Sequence, residues 1–145
     1  MESLTHWQSL LEKGNTCFAE NQLLQAEYYY KEAIEYLEIA WLGELTNVEL
    51  LMAWICASHN LSTLFEKQRD YDVSLQYLLL PHHRLLTMVN DAVYKDDIQL
   101  IVISAIKLTF KPIQAFIKRH PVCNACAREI EAFGESLNRQ QPQFH

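Results

Sequence analysis

Only three glycines occur among the 145 residues of this chain. Sandwiches and barrels turn about every 8 to 12 residues, and their tight turns draw on residues that tolerate positive φ, above all glycine. An all-β fold is therefore nearly excluded. The same scarcity rules out the glycine loops that cradle phosphates, because neither G-x-G-x-x-G nor G-x-x-x-x-G-K can be assembled. Twelve Lys and Arg stand against 18 Asp and Glu, a net charge of −6, which argues against binding to a nucleic-acid backbone. Half of the residues are hydrophobic. A chain of 17.0 kDa can bury about 69% of its unfolded surface, enough for one compact domain. The expected organisation is a single helical domain over residues 1–137, with 138–145 a polar C-terminal tail that has little to bury.

Apolar residues recur at helical spacing almost throughout. Trp7, Leu10, Leu11, Gly14, Cys17 and Phe18 form one stripe; Leu23, Ala26, Tyr30, Ala33, Ile34, Leu37 and Trp41 form a second, which Gly43 should end with a left-handed cap. Thr46 or Asn47 can cap a third helix reaching Lys67. Asp70 is placed to cap a fourth, in which Pro81 predicts a kink or break. A fifth follows from about Asp96, with Asp96-Asp97 as its cap and Pro112 a second kink, and a sixth is expected from Pro121. Six helices joined by short turns make three antiparallel hairpins. The longest uninterrupted apolar runs, such as Leu78 to Pro81 and Leu100 to Ile103, are too short for a membrane span, and no secretory leader is recognisable, so a cytoplasmic protein is expected.

Leu10, Gly14, Cys17, Ala26, Tyr30 and Ala33 place small and large residues where two helices of a hairpin must approach closely. Ser58, Leu61, Ser62, Phe65, Tyr71, Ser74, Leu78 and Pro81 give a second copy, and Phe110, Ile113, Gln114, Ile117, Cys126, Ile130 and Phe133 a faint third. This pattern resembles the tetratricopeptide repeat. Gly14 and Ser62 lie 48 residues apart and Ser62 and Gln114 lie 52 apart, both longer than the standard repeat of about 34, so the helices must be extended. The resemblance implies an all-α, tetratricopeptide-like array of three hairpins, of a divergent bacterial family, whose first helices line a concave groove for a peptide or partner helix. The groove residues it implies are Gln8, Leu11, Asn15, Phe18, His59, Thr63 and Glu66. Modules of this kind that clamp a terminal carboxylate use Lys and Asn on successive first helices. Asn15 and Asn60 match the asparagine sites, but Leu11 stands where the first lysine should be, so the clamp is incomplete.

The sharpest chemical motif is His120-Pro121-Val122-Cys123-Asn124-Ala125-Cys126. His120, Cys123 and Cys126 could supply three zinc ligands where a structural site wants four, and a lone C-x-x-C is a weak signal. Burial of the cysteines as small packing residues is the stronger reading, and a redox role is the weaker one. No cofactor is therefore expected. His59 has no Ser, Cys or carboxylate partner at catalytic spacing, and Glu27, Glu32, Glu35 and Glu38 fit a solvated face better than an acid and base pair. The expected role is a non-enzymatic interaction module acting on a protein or peptide. The alternative is a small self-associating structural protein, zinc-stabilised through the His120 segment, and both readings admit a homodimer.

Overall fold

A computed structural model describes residues 5–121 and shows an all-helical chain, with no strand among the described residues. Five helices follow one another: α1 His6–Ala19, α2 Leu23–Leu42, α3 Val48–Lys67, α4 Tyr71–Met88 and α5 Asp96–Arg119. The sixth helix expected from Pro121, both cysteines of the C-x-x-C pair and the proposed tail lie outside the described residues.

Each helix packs chiefly on the one before and the one after it. Consecutive helices run antiparallel, as paired contacts demonstrate: Ser58 meets Tyr77 while Ser62 meets Ser74, and His82 meets Thr109 while Met88 meets Gln99. Alternate helices also touch. Asn15 of α1 reaches Asn60 of α3, Glu66 of α3 reaches Arg119 of α5, and Glu38 of α2 is bonded to Arg84 of α4. The result is two layers, with α1, α3 and α5 on one side and α2 and α4 on the other.

The central helix α3 carries the core because it has neighbours on both sides. Leu50, Leu51, Trp54, Ile55, Ala57, Leu61 and Leu64 are all buried, and Trp54 stacks on Trp41 of α2 with ring centroids 5.3 Å apart. The first hairpin closes tightly at Gly14. A Cβ placed there would lie 2.7 Å from Cε1 of Tyr30, so only glycine admits that ring. In the second hairpin serines take over. The Ser62 hydroxyl donates to the Ser74 carbonyl at 2.7 Å, and the Ser74 hydroxyl donates to the Ser62 carbonyl at 2.8 Å.

The helix boundaries correct several expectations. Gly43 does not adopt a left-handed cap; its φ is −83°. The left-handed positions are Asn21, Arg69 and Asn90, with φ of 61°, 63° and 64°. At the first two, the amide of the following residue reaches back to the carbonyl five residues earlier, Gln22 to Cys17 at 2.8 Å and Asp70 to Phe65 at 2.9 Å. That pattern ends a helix without glycine at modest strain. Asp70 thus closes α3 through its backbone and makes no side-chain cap for α4. Asn47 does cap α3, accepting from the Leu50 amide at 3.2 Å. Lys95, not Asp96, holds the N-cap position of α5, and both aspartates sit in its first turn, where carboxylates complement the helix dipole. Thr5 and Gln8 form a reciprocal capping box at the start of α1.

Neither Pro81 nor Pro112 interrupts its helix. Pro81 lacks the amide that would bond the Tyr77 carbonyl four residues back. Ser58 of α3 supplies the missing donor, its hydroxyl reaching that carbonyl at 2.6 Å. A neighbouring helix therefore repairs the break. Helix α5 is the one described helix long and apolar enough to cross a membrane, with a mean hydropathy of 1.6 over its most apolar stretch. Much of that character is core: Val102, Ile103, Ala105, Ile106, Phe110, Ile113 and Phe116 are buried.

Candidate functional site

The parallel first helices α1 and α3 diverge enough to leave a cleft of about 280 Å³, lined by Asn15, Phe18, Tyr30, Asn60 and Thr63. Tyr30 forms its floor. Gly14 lets the ring slide under α1, and the phenol then donates to Oδ1 of Asn15 at 2.7 Å. The same Oδ1 faces Nδ2 of Asn60 at 3.5 Å, so one amide oxygen links all three side chains. Burial, with a smaller contribution from Cys17, raises the pKa of Tyr30 above its ordinary 10.0. The phenol is therefore a neutral donor across the physiological range, and the asparagine amide is oriented by it. With Oδ1 of Asn15 engaged, its Nδ2 donors and the Asn60 Oδ1 acceptor make no hydrogen bond among the described residues. A donor and an acceptor on neighbouring helices match the C=O and N–H of an extended backbone. Phe18 adds an apolar wall, over which Lys67 Nζ lies 5.2 Å from the ring centroid. Thr63 has its hydroxyl tied to the His59 carbonyl at 3.0 Å and offers the cleft its methyl group and oxygen lone pair.

Of the seven groove residues expected from sequence, Asn15, Phe18 and Thr63 meet in this cleft. The other four lie elsewhere. Gln8 accepts from the Thr5 amide at 3.0 Å as part of the helix cap. Leu11 is half-buried against the core. His59 is not part of the cleft lining; its Nε2 is buried without a hydrogen-bond partner among the described residues, and burial lowers its pKa below 6.5. Glu66 belongs to an ionic cluster that ties α3 to the end of α5, with Arg119 Nε at 2.9 Å, Arg119 Nη2 at 3.1 Å and His120 Nε2 at 2.6 Å. The Arg119 hydrogen bond is the main reason that the Glu66 carboxyl titrates below its usual value, with His120 adding to it.

Two cleft residues were absent from the expected set. Asn60 could have been found by its match to the second asparagine of the resemblance. Tyr30 reads as core in any hydropathy pattern, and only its hydroxyl, which needs a partner when buried, hints at a second role.

The His120 side chain stacks on Tyr71 with centroids 3.9 Å apart and has Nε2 on Glu66, so its ring is already engaged on a face and on one nitrogen. Cys123 and Cys126 lie outside the described residues. Among the described residues no three His, Cys, Asp or Glu side chains converge as a metal-binding group.

No curated protein and no solved structure matches the chain. A family model described as "Protein of unknown function (DUF2753)" matches residues 5–145, almost the whole length, and the chain therefore belongs to that family.

Proposed function

We propose that this chain is a non-enzymatic, tetratricopeptide-like interaction module that holds an extended peptide across the α1–α3 cleft. The observation that carries this reading is the oriented asparagine pair. Asn15 and Asn60 sit on successive first helices, one of them fixed by the buried Tyr30 hydroxyl, and together they present a donor and an acceptor with no internal claim on them. Fixing side chains in advance lowers the ordering cost of binding. The apolar wall at Phe18 would take a hydrophobic side chain next to the held peptide unit. Catalysis finds little support in the cleft, because its one titratable lining residue is a tyrosine raised away from neutral pH.

The test is site-specific photocrosslinking in the native cell. A benzophenone amino acid at Thr63, in the cleft, should capture a discrete partner, whereas the same group at Glu35, exposed on α2, should not. Asn15→Ala with Asn60→Ala should abolish the Thr63 adduct while leaving helix content unchanged. An adduct indifferent to both asparagines would sink the proposal.

A further inference from the structure

The outer face of α5 carries a palindrome. Asp97, Leu100, Ser104, Leu108 and Lys111 are all exposed, at intervals of three, four, four and three residues. At 100° per residue they fall within an arc of about 80°, one narrow stripe along the helix. About Ser104 the stripe is symmetric in shape and antisymmetric in charge: leucine answers leucine four residues away on each side, and aspartate answers lysine seven residues away. The two leucines are 50% and 49% exposed, a large apolar area to leave in water. They form the rim of an apolar groove of about 310 Å³ between α3 and α5, whose other wall includes Val48, itself 49% exposed, and Met52.

A stripe with this symmetry complements itself. From the geometry we infer that α5 docks antiparallel on α5 of a second copy of this chain, with the two-fold axis at Ser104. In that arrangement Leu100 packs beside Leu108 of the other copy and Leu108 beside its Leu100, while serine at the axis lets the two helices approach. Asp97 meets the other Lys111 at each end, giving two intermolecular ion pairs by symmetry. Neither Asp97 nor Lys111 has an ion pair within the described residues, so both charges are free to make these contacts. Residues 97 and 111 lie about 21 Å apart along the axis, and the antiparallel partner presents its lysine and aspartate at the matching levels. Isologous pairing of this kind is the commonest closed assembly of soluble chains. The surface is distinct from the peptide cleft, which lies on the α1 side of α3.

Charge reversal separates this arrangement from any other occupant of the groove. In sedimentation velocity on the full chain at low salt, the native protein should be a dimer. Asp97→Lys alone and Lys111→Asp alone should each raise the dimer dissociation constant at least about tenfold, because each replaces two attractive pairs by two repulsive ones. The double variant should regain most of the native affinity. An equimolar mixture of the two single variants should form a heterodimer, since every facing pair is then opposite in charge. The exposed positions leave folding intact, and circular dichroism verifies it. A native chain that stays monomeric at 100 µM or so, as a groove kept for another protein would require, overturns the inference. So does a dimer whose affinity is the same in all four forms.

Discussion

Removing the Ser58 hydroxyl should expose how α4 tolerates a proline in its interior. Ser58 is fully buried, and its hydroxyl is the donor that the Tyr77 carbonyl receives in place of the amide Pro81 lacks. In Ser58→Ala that part-buried carbonyl loses the bond, at a cost of about 2 kcal/mol, the sum of a lost hydrogen bond and the desolvation left uncompensated. For 145 residues the entropy of unfolding is about 0.3 kcal/mol/K, so the melting temperature should fall by about 7 °C. The sharper measurement is a double-mutant cycle. Pro81→Ala restores an amide that bonds the Tyr77 carbonyl along the helix, and in that background Ser58→Ala should cost only about 0.5 kcal/mol. Urea unfolding of the four proteins should therefore give a coupling of about 1.5 kcal/mol, well outside the roughly 0.5 kcal/mol within which independent sites add. Equal costs of Ser58→Ala in the two backgrounds would refute the repair, and the tolerance of Pro81 would need another cause.

Four further outcomes follow from the packing. Gly14→Ala, which in an open helix would stabilise by about 1 kcal/mol, should instead destabilise by about 1 to 2 kcal/mol in thermal melts, because its Cβ meets the buried Tyr30 ring at 2.7 Å; Tyr30→Leu should remove the penalty. His82 is 4% exposed, bonded through Nδ1 to the Thr109 hydroxyl at 2.9 Å, and burial, with the neighbouring charge of His83 secondary, lowers its pKa from 6.5 to about 4. The unfolded chain therefore takes up the proton first, so this contribution to stability is complete above pH 6.5 and is lost as the pH falls toward 4, by about 3 kcal/mol in all. His59 is shifted in the same direction, so in urea titrations from pH 7 to 4.5 His82→Leu should flatten the slope without abolishing it. Arg69→Gly should raise stability by about 0.5 to 1 kcal/mol by relieving a left-handed φ of 63°, and Gly43→Ala should do so by about as much, since its φ is −83° and the nearest atom to a new Cβ is 3.6 Å away. Protein purified without a histidine tag should carry less than about a tenth of an equivalent of zinc by mass spectrometry, because a structural site wants four ligands and the His120 segment offers three, one of them with Nε2 on Glu66; a full equivalent would refute that.

Helix periodicity was legible because every described helix has a buried stripe, and the places where the sequence misled are those where a second helix intervenes. Pro81 signals a break to any local rule, and nothing near it announces a serine 23 residues earlier that mends the backbone. Gly43 does end α2, but not in the left-handed conformation that glycine usually takes there; that conformation fell to Asn21, Arg69 and Asn90. Three of the five cleft residues, Asn15, Phe18 and Thr63, were readable through the tetratricopeptide resemblance. His59 and Glu66 share a face of α3 with one another, but they lie two turns apart on the side toward α5, where Glu66 meets Arg119. A one-dimensional pattern places residues on a face; it does not say which neighbour that face meets.

The nearest-neighbour packing of the five helices bears on how the chain reaches this structure. Most stabilising contacts join residues close in sequence, so little loop-closure entropy opposes each hairpin as it forms, and topologies of this kind fold fast. Assembly can start at the α2–α3 pair, where Trp41 and Trp54 stack, and spread outward one helix at a time. Loss of order should run the other way. Amide exchange is then expected to be slowest in the middle of α3 and progressively faster toward α1, which packs chiefly on α2 and touches α3 only lightly.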